Sequence, residues 1–240
     1  MVALFSCSSP VDYQASYTWS PVEINPEIAG SDEMEAIIAP YRERLDSIMD
    51  EVIGYAAHDL TSRGQYESNL GTFITRLTLE QSIASYDTHV DVAIMNHHGG
   101  LRAPINEGPI RLGEVFAVMP FENEVLLLEI SGEDLIKVIE YIGKSGRSMI
   151  WPVSFDVDQS RAKNIKVDGK AVVAKQNYVI AISDYLANGG SGFQMLRPLK
   201  RMDLQPIKLR DMIVQEIRDH TAKGDSIWQE VSHFITVSNP

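Results

Sequence analysis

The chain is poor in cysteine, in long apolar runs and in basic residues, and each shortage excludes a class of protein. Its 240 residues include a single cysteine, Cys7, which permits no intramolecular disulfide. No run of about 18 apolar residues is present, so no segment is predicted to span a membrane. Only 21 Lys and Arg residues stand against 33 Asp and Glu, for a net charge of −12. That charge argues against nucleic acid and anionic lipid as partners, because both bind basic surfaces.

The sequence also lacks the G-x-G-x-x-G and P-loop motifs that mark common nucleotide-binding folds. Helical and strand-like segments are mixed without strict βαβ alternation, which predicts one α+β domain with mixed sheets. Apolar spacing predicts helices over 32–52, 68–83, 131–142 and 209–220. Short β-rich runs predict strands over 90–95, 115–119, 125–130, 153–157, 165–167, 171–173, 178–183 and 233–237, with an extended segment at 22–24.

Cap and turn residues mark the ends of several of these segments. Asp32 with Glu35 resembles a helix capping box, and Ser131 caps a later helix. Pro40 lies inside the first helical pattern and is expected to kink or restart that helix, because proline removes an N–H donor. Asp168-Gly169 stands between two strand-like runs and predicts a tight hairpin.

Residues 1–7 form a short apolar run that ends at Cys7. This resembles the tail of a bacterial lipoprotein signal, whose lipidated cysteine anchors the protein at the cell envelope, in the periplasm or at the outer membrane. The run is short for a complete signal and lacks a basic start, so this interpretation requires an upstream or trimmed start. The alternative is a disordered N-terminus with a chance cysteine. We expect residues 1–21 to be a signal remnant or disordered linker, and residues 22–240 to be the folded domain.

Glycine-rich loops follow two of the strand-like runs and are suited to a small anionic ligand. The Gly99 loop (residues 96–102) contains paired glycines, which let backbone amides approach a ligand closely. It ends at Arg102, whose planar guanidinium suits carboxylate or phosphate, although a surface ion pair is the alternative role. The Tyr185 loop (residues 184–193) and the Phe121 loop (residues 119–123) carry aromatic residues, which are candidate stacking surfaces for a planar base.

Five motifs in this order and spacing are highly specific when taken together. They are Ser68-Asn69-Leu70-Gly71, Asn96 with Gly99-Gly100-Leu101-Arg102, Pro120-Phe121-Glu122-Asn123, Ser131-Gly132-Glu133-Asp134-Leu135 and Asp184-Tyr185-Leu186-Ala187-Asn188-Gly189-Gly190-Ser191-Gly192-Phe193. Over roughly residues 22–237 the chain resembles the C-terminal, substrate-binding domain of the 5′-nucleotidases and the related periplasmic UDP-sugar hydrolases. The resemblance implies a layered α/β/β/α sandwich that binds a nucleotide or nucleoside.

The resemblance also implies roles for single residues. Phe121 and Tyr185 are expected to clamp the nucleobase, and Arg102 is expected near the ribose or phosphate. The substrate-binding residues that the resemblance implies are Asn96, His97, Gly99, Gly100, Arg102, Phe121, Tyr185, Asn188, Gly189, Gly190, Ser191 and Phe193.

The chain departs from the family pattern at several of these positions. His97 stands where the family usually has asparagine, so either His97 or its neighbour Asn96 makes that hydrogen bond. Ser191 stands where the family has aspartate, and Arg63 is a poorly registered match to a further family arginine. Phe193 is either a core residue or the pocket floor, because phenylalanine is commonly buried.

The metal-binding motifs of the family's N-terminal metallophosphatase domain are missing from the sequence. Asp87-Thr88-His89 matches one of them superficially but stands alone. Adjacent His97 and His98 make poor joint ligands, because neighbours in a strand point in opposite directions. We therefore expect no catalytic residue, metal site or cofactor in this chain, and divalent metals only in a separate metallophosphatase polypeptide.

The leading hypothesis is the substrate-binding half of a 5′-nucleotidase-like hydrolase that acts in nucleotide catabolism. It rests on a binding-domain pattern that begins too near the N-terminus for a catalytic domain to precede it. Whether the chain is itself an enzyme stays open. One alternative is an envelope nucleoside- or nucleotide-binding protein without catalysis. The other is an interaction domain that kept the fold and lost the pocket, to which the departures at His97 and Ser191 point.

Overall fold

The computed structural model describes residues 16–25, 28–96, 99–146 and 148–238. The chain divides into two units between Glu43 and Arg44, within the first helix. Residues 16–25 form neither helix nor strand. Cys7 lies outside the described residues, and the predicted domain boundary at residue 22 stays a prediction.

The helices and strands of the described residues are interspersed along the chain without strict alternation. The helices are α1 (Asp32–Met49), α2 (Asn69–Tyr86), α3 (Leu112–Val118), α4 (Gly132–Ser145), α5 (Asp184–Ala187) and α6 (Leu209–Ala222). The strands are β1 (Val52–Ala56), β2 (Val92–Asn96), β3 (Gly108–Arg111), β4 (Glu124–Ser131), β5 (Ser148–Trp151), β6 (Val153–Asp158), β7 (Arg161–Val167), β8 (Lys170–Ala171), β9 (Asn177–Ser183), β10 (Lys200–Arg201), β11 (Ile207–Lys208) and β12 (Ile235–Ser238).

The first helix begins at Asp32, and its cap lies one residue earlier than predicted. The Ser31 hydroxyl accepts a hydrogen bond from the Met34 N–H at 3.4 Å, so Ser31 rather than Asp32 takes the capping position. Pro40 lies inside α1, which is continuous from Asp32 to Met49. The predicted helix extended to residue 52, but Val52 begins β1.

A central mixed sheet organises the rest of the fold. Its strand order is β10-β4-β9-β2-β5, and β11 also pairs with β4. Within it β2 and β9 are parallel, whereas β4 is antiparallel to β9 and β5 is antiparallel to β2. A second sheet has the order β12-β6-β7-β8, and β1 pairs with β3. The prediction of an α+β fold with mixed sheets is confirmed.

Separate apolar cores lie on the two faces of the central sheet. Alternate residues of β2 divide between them: Ala93 and Met95 enter one core, and Val92 and Ile94 enter the other. The first core also contains buried residues of α2, α3 and α6, and the second those of α4 and β6. This period of two is what a strand buried on both faces produces, and it gives the fold its layers.

One predicted strand is wrong, and several local signals are confirmed. Residues 115–119 fall in and just after α3, where Val115 and Val118 are buried on one helical face. A short apolar run fits a strand or a helix equally well, so periodicity did not distinguish them. The Ser131 hydroxyl accepts from the Asp134 N–H at 3.1 Å, as its predicted capping role requires. At the predicted hairpin, Asp168 and Gly169 have φ values of 47° and 74° between β7 and β8.

Candidate functional site

The strand order brings the three loops to one edge of the central sheet. Because β2 and β9 are parallel, Asn96 and Ser183 end neighbouring strands at that edge, and the Gly99 and Tyr185 loops follow them. Because β4 runs the opposite way, Val125 pairs with Ser183 and the preceding Phe121 loop lies at the same edge. Ligand sites commonly form beyond the carboxyl ends of parallel strands.

A cavity of about 270 Å³ lies between these loops. It is large enough for a planar ring system and smaller than the ~300–1,000 Å³ typical of drug-sized ligands. Six of the expected site residues line it: Asn96, Gly99, Gly100, Phe121, Tyr185 and Ser191. Four further lining residues were not predicted: Met95, Met119, Asn123 and Ser183.

Some of the unpredicted lining residues could have been identified from the sequence, and others could not. Asn123 belongs to the Pro-Phe-Glu-Asn motif, so the motif itself was the signal for it. Met95 is the next-to-last residue of β2 and Ser183 is the last residue of β9. Both strands are apolar runs, which the sequence pattern assigns to the core. Only the tertiary pairing of β2 with β9 shows that they border a cavity.

Two half-exposed aromatic side chains line the cavity. Phe121 is 41% exposed and Tyr185 is 47% exposed. The Tyr185 hydroxyl accepts a hydrogen bond from the Ser191 N–H at 3.2 Å. Its ring packs against Gly190, where an added Cβ would lie 2.5 Å from the ring carbon Cζ. Gly190 therefore leaves room for the tyrosine ring, which no larger residue does at this backbone position.

A hydrogen-bond network joins the two aromatic loops. One carboxylate oxygen of Asp184 accepts from the Asn123 side-chain amide at 2.9 Å and from the Glu124 N–H at 3.2 Å. The same oxygen accepts from the Tyr185 N–H at 2.8 Å. Such shared acceptors couple the groups they bond, so the positions of the Phe121 and Tyr185 loops depend on each other.

Asn96 presents a polar atom at the cavity that the described residues leave unbonded. It is the last residue of β2, and its side-chain carbonyl oxygen is buried without a hydrogen-bond partner in the described part of the chain. Buried acceptors are normally bonded, so this atom is suited to a donor on a ligand. His97 lies outside the described residues, and whether it or Asn96 takes the family's asparagine role stays open.

Five of the expected site residues that the structure describes do not line the cavity: Arg102, Asn188, Gly189, Gly190 and Phe193. Arg102 is exposed two residues beyond the cavity-lining Gly100, and no hydrogen bond or ion pair engages its side chain within the described ranges. Phe193 is fully buried and packs edge-to-face on Tyr141, with ring centroids 5.0 Å apart. The structure favours the core alternative for Phe193.

Asn188, Gly189 and Gly190 border a shallower pocket on the other side of Tyr185. Asn188 is held there from two directions. Arg197 Nε donates to its backbone carbonyl at 2.8 Å, and Arg201 Nη2 donates to its side-chain oxygen at 2.6 Å. These bonds hold the Tyr185 loop in place.

No group of three or more His, Cys, Asp or Glu side chains within the described ranges has an arrangement that would hold a metal ion. His89, from the isolated Asp-x-His match, is paired with Asp91, with 2.9 Å between Nε2 and Oδ1. Among the helices that the structure describes, none combines the length and apolarity needed to cross a membrane.

The family model described as "5′-nucleotidase, C-terminal domain" matches residues 52–198. The chain belongs to this family. Protein 5NUC of Lutzomyia longipalpis is 26% identical over 92% of this chain and 44% of its own length. A cell wall protein of Listeria monocytogenes is 26% identical over 79% of this chain and 26% of its own length.

Solved structures agree on the fold. A 5′-nucleotidase precursor from Thermus thermophilus superposes with a TM-score of 0.71 at 24% identity, over 86% of this chain and 43% of that one. The chain therefore has the fold of a 5′-nucleotidase C-terminal domain, and it spans less than half the length of the relatives it matches.

Proposed function

We propose that this domain binds a nucleoside or nucleotide, with the base stacked between Phe121 and Tyr185. The observation that carries the proposal is the cavity itself. Half-exposed aromatic side chains from two separate loops border a space of about 270 Å³, together with an unbonded buried acceptor. Stacking a base on an aromatic side chain contributes about 1–3 kcal/mol, which makes such a pair an effective base clamp.

The remaining contacts follow from the chemistry at the cavity. The Asn96 carbonyl oxygen is suited to accept from an exocyclic amino group or a ring N–H of the base. The cavity takes a base but not the whole nucleotide, so the sugar and phosphate extend outward. Arg102 is exposed just beyond the cavity-lining glycines and is our candidate for the phosphate contact. Because the chain carries a net charge of −12, attraction for phosphate must come from such a local cation.

We further propose that the domain is the recognition part of a 5′-nucleotidase-like hydrolase, and that a separate metallophosphatase polypeptide supplies the divalent metals and the hydrolytic chemistry. Membership of the family supports this proposal. Two-metal hydrolysis stabilises both the attacking and the leaving oxygens, and the binding domain's part is to hold the nucleotide in position.

Calorimetry tests the binding proposal. Adenosine, AMP and a UDP-sugar are titrated into wild-type protein and into the Tyr185→Ala variant. Tyr55→Ala is the matched control, because Tyr55 is similarly exposed and lies outside the cavity. We expect binding of at least one ligand, weakened by Tyr185→Ala and unchanged by Tyr55→Ala. Absence of binding to all three ligands would reject the proposal and favour an interaction domain.

A second experiment tests the hydrolytic part. The purified chain is mixed with a metallophosphatase-domain protein and Mg²⁺, and phosphate release from AMP is followed. Partner-dependent hydrolysis that the Tyr185→Ala change slows supports a split hydrolase. Nucleoside binding with no release in the presence of any such partner favours a binding protein without catalysis.

The proposed location is the cell envelope, through a lipid on Cys7. The relative named as a cell wall protein supports an envelope or extracellular location. Fractionation of a bacterial host is expected to place the wild-type chain in the membrane fraction and Cys7→Ala in the soluble fraction. An identical distribution of both proteins would reject the lipid anchor.

A further inference from the structure

We infer that Arg210, outside the cavity, is the positioning residue that holds the Phe121 loop against the ligand. The part of the inference that concerns ligand binding rests on the proposed function. Arg210 is the second residue of α6, and its side chain is only 7% exposed. It does not line the cavity, so any effect on a ligand must act through the residues it contacts.

The Arg210 guanidinium bonds to consecutive parts of one loop. Nη1 donates to the backbone carbonyls of Met119 at 3.3 Å and Phe121 at 3.4 Å. Nη2 donates to the carboxylate of Glu122, with which it forms an ion pair. The guanidinium carbon lies 3.9 Å from the ring centroid of Phe116, in α3 just before the loop. A single rigid group therefore sets the path of the chain on both sides of the Phe121 Cα.

Arginine suits this position for a geometric reason. Its planar fork offers several donors in fixed directions and stacks on an aromatic face, whereas lysine offers a compact point charge. The ion pair joins the buried Arg210 to an exposed carboxylate, which solvent screens, so it contributes little stability. The Nε of Arg210 also has no partner in the described part of the protein. An apolar side chain would fill the same space. What the guanidinium adds is a defined position for the 119–122 backbone.

The neighbouring contacts reinforce the same segment from the same side. Lys208 also pairs with Glu122, at 2.5 Å between Nζ and Oε2. The Leu209 N–H donates to the Asn123 carbonyl at 2.9 Å. Hydrogen bonds from Lys208 and then Arg210 hold the pKa of Glu122 below its ordinary value, so this carboxylate stays charged to a lower pH than an ordinary glutamate. The first residues of α6 and Lys208 before it thus bond to the Phe121 loop, and Asp184 of the Tyr185 loop bonds to it as well.

Hydrogen–deuterium exchange of the ligand-free protein tests the positioning role directly. Arg210→Met keeps an apolar side chain of similar length, and Arg210→Lys keeps the charge without the fork. Arg218→Met is the matched control, since Arg218 lies on the same helix and pairs with Glu51 on the surface. The amides to follow are those of Glu124, which donates to Asp184, and Leu209, which donates to the Asn123 carbonyl, because a hydrogen bond protects each of them. We expect faster exchange at both amides in both Arg210 variants and unchanged exchange there in Arg218→Met.

The ligand arm uses a double-mutant cycle with adenosine. Arg210→Lys is expected to weaken adenosine binding about tenfold in the wild-type background, a coupling typical of residues in contact. In the Phe121→Ala background its effect is expected to be clearly smaller, because the stacking ring through which Arg210 mainly acts is gone, while the lining residues Met119 and Asn123 remain. A residue that only stabilises the fold would lower affinity by the same factor in both backgrounds.

The outcomes separate the two proposals. If adenosine and the other nucleotides fail to bind wild-type protein, the proposed function is rejected, and exchange at Glu124 and Leu209 still decides whether Arg210 orders the loop. If exchange at these two amides is unchanged in Arg210→Lys, or the affinity loss persists in full without the Phe121 ring, the inference is overturned even though the ligand binds. Should Arg210→Met fail to fold, Arg210→Lys alone carries the test.

Discussion

The close contact between Gly190 and the Tyr185 ring allows the proposed base clamp to be tested by adding a single carbon, in the variant Gly190→Ala. A Cβ at Gly190 would lie 2.5–2.6 Å from three atoms of the Tyr185 ring. Non-bonded carbons settle at about 3.5–4.0 Å, so in Gly190→Ala the ring must move by about 1 Å or more. Gly190 is not among the glycines with positive φ, so alanine itself meets no backbone strain. The substitution therefore acts on the position of the ring.

The substitution is expected to lower both the stability of the protein and its affinity for the base, by different amounts. The ring is half-exposed and is free to rotate away, so the main loss of stability is its hydrogen bond with the Ser191 N–H, worth about 0.5–1.5 kcal/mol. For a chain of this size that lowers Tm by about 2–4 °C per kcal/mol. Loss of stacking on the base costs about 1–3 kcal/mol, which is a loss of roughly 5- to 150-fold in affinity. We expect Gly190→Ala to bind adenosine far less tightly while remaining folded.

Calorimetry with adenosine and thermal melting measure the two effects separately. Gly30→Ala is the control, because an added Cβ there meets no atom within 4 Å. In a Tyr185→Ala background Gly190→Ala is expected to change neither affinity nor Tm, since the clashing ring is absent. Wild-type affinity in the Gly190→Ala protein, to within about twofold, would refute the reasoning.

Other predictions follow from the same site. Phe121→Ala is expected to weaken adenosine binding by about 1–3 kcal/mol in calorimetry, whereas Trp228→Ala, which removes a 58% exposed aromatic outside the cavity, leaves it unchanged; equal losses would contradict the clamp. Arg102→Ala is expected to weaken AMP about tenfold and leave adenosine unchanged, with the AMP advantage shrinking as salt rises because ions screen an exposed charge pair; an equal loss for both ligands would speak against a phosphate contact. The folded-state pKa of Glu122 is lowered, so its stabilising contacts persist above the ordinary glutamate value of 4.5 and are lost as the pH falls through the lowered pKa. Exchange of the Leu209 amide, which donates to the Asn123 carbonyl, should therefore accelerate, after correction for intrinsic rates, only below that range in wild-type protein, and Glu122→Gln should remove the transition; a midpoint above 4.5 would contradict the assignment.

Local signals were sufficient for much of the secondary structure. The Ser131 cap and the Asp168-Gly169 hairpin depend on residues close in sequence, and both occur as predicted. Residues 115–119 show where such signals fail. A five-residue apolar run carries too few positions to separate a period of two from one of 3.6, and the burial of Val115 and Val118 against the first core decided for a helix.

The candidate site likewise has features that the sequence reveals and features that it does not. Its glycine and aromatic motifs, including Gly99-Gly100, Phe121 and Tyr185, are recognisable in the sequence, and the structure brings them to one cavity. The contacts of Asp184 and Arg210 are not recognisable, because their partners lie about 60 and 90 residues away in the chain.

The sequence by itself determined the residue types available for binding: the chain is acidic overall, with two glycine-rich loops, an arginine at the end of one of them and a few loop aromatics. Only the tertiary structure decided which of them meet. The parallel pairing of β2 with β9 and the antiparallel pairing of β4 place three distant loops at one sheet edge. The same packing buries Phe193 in the second core and leaves Phe121 and Tyr185 facing the cavity. Which distant strands become neighbours depends on how the helices and strands pack around both cores, so the local pattern of one strand does not specify its partners.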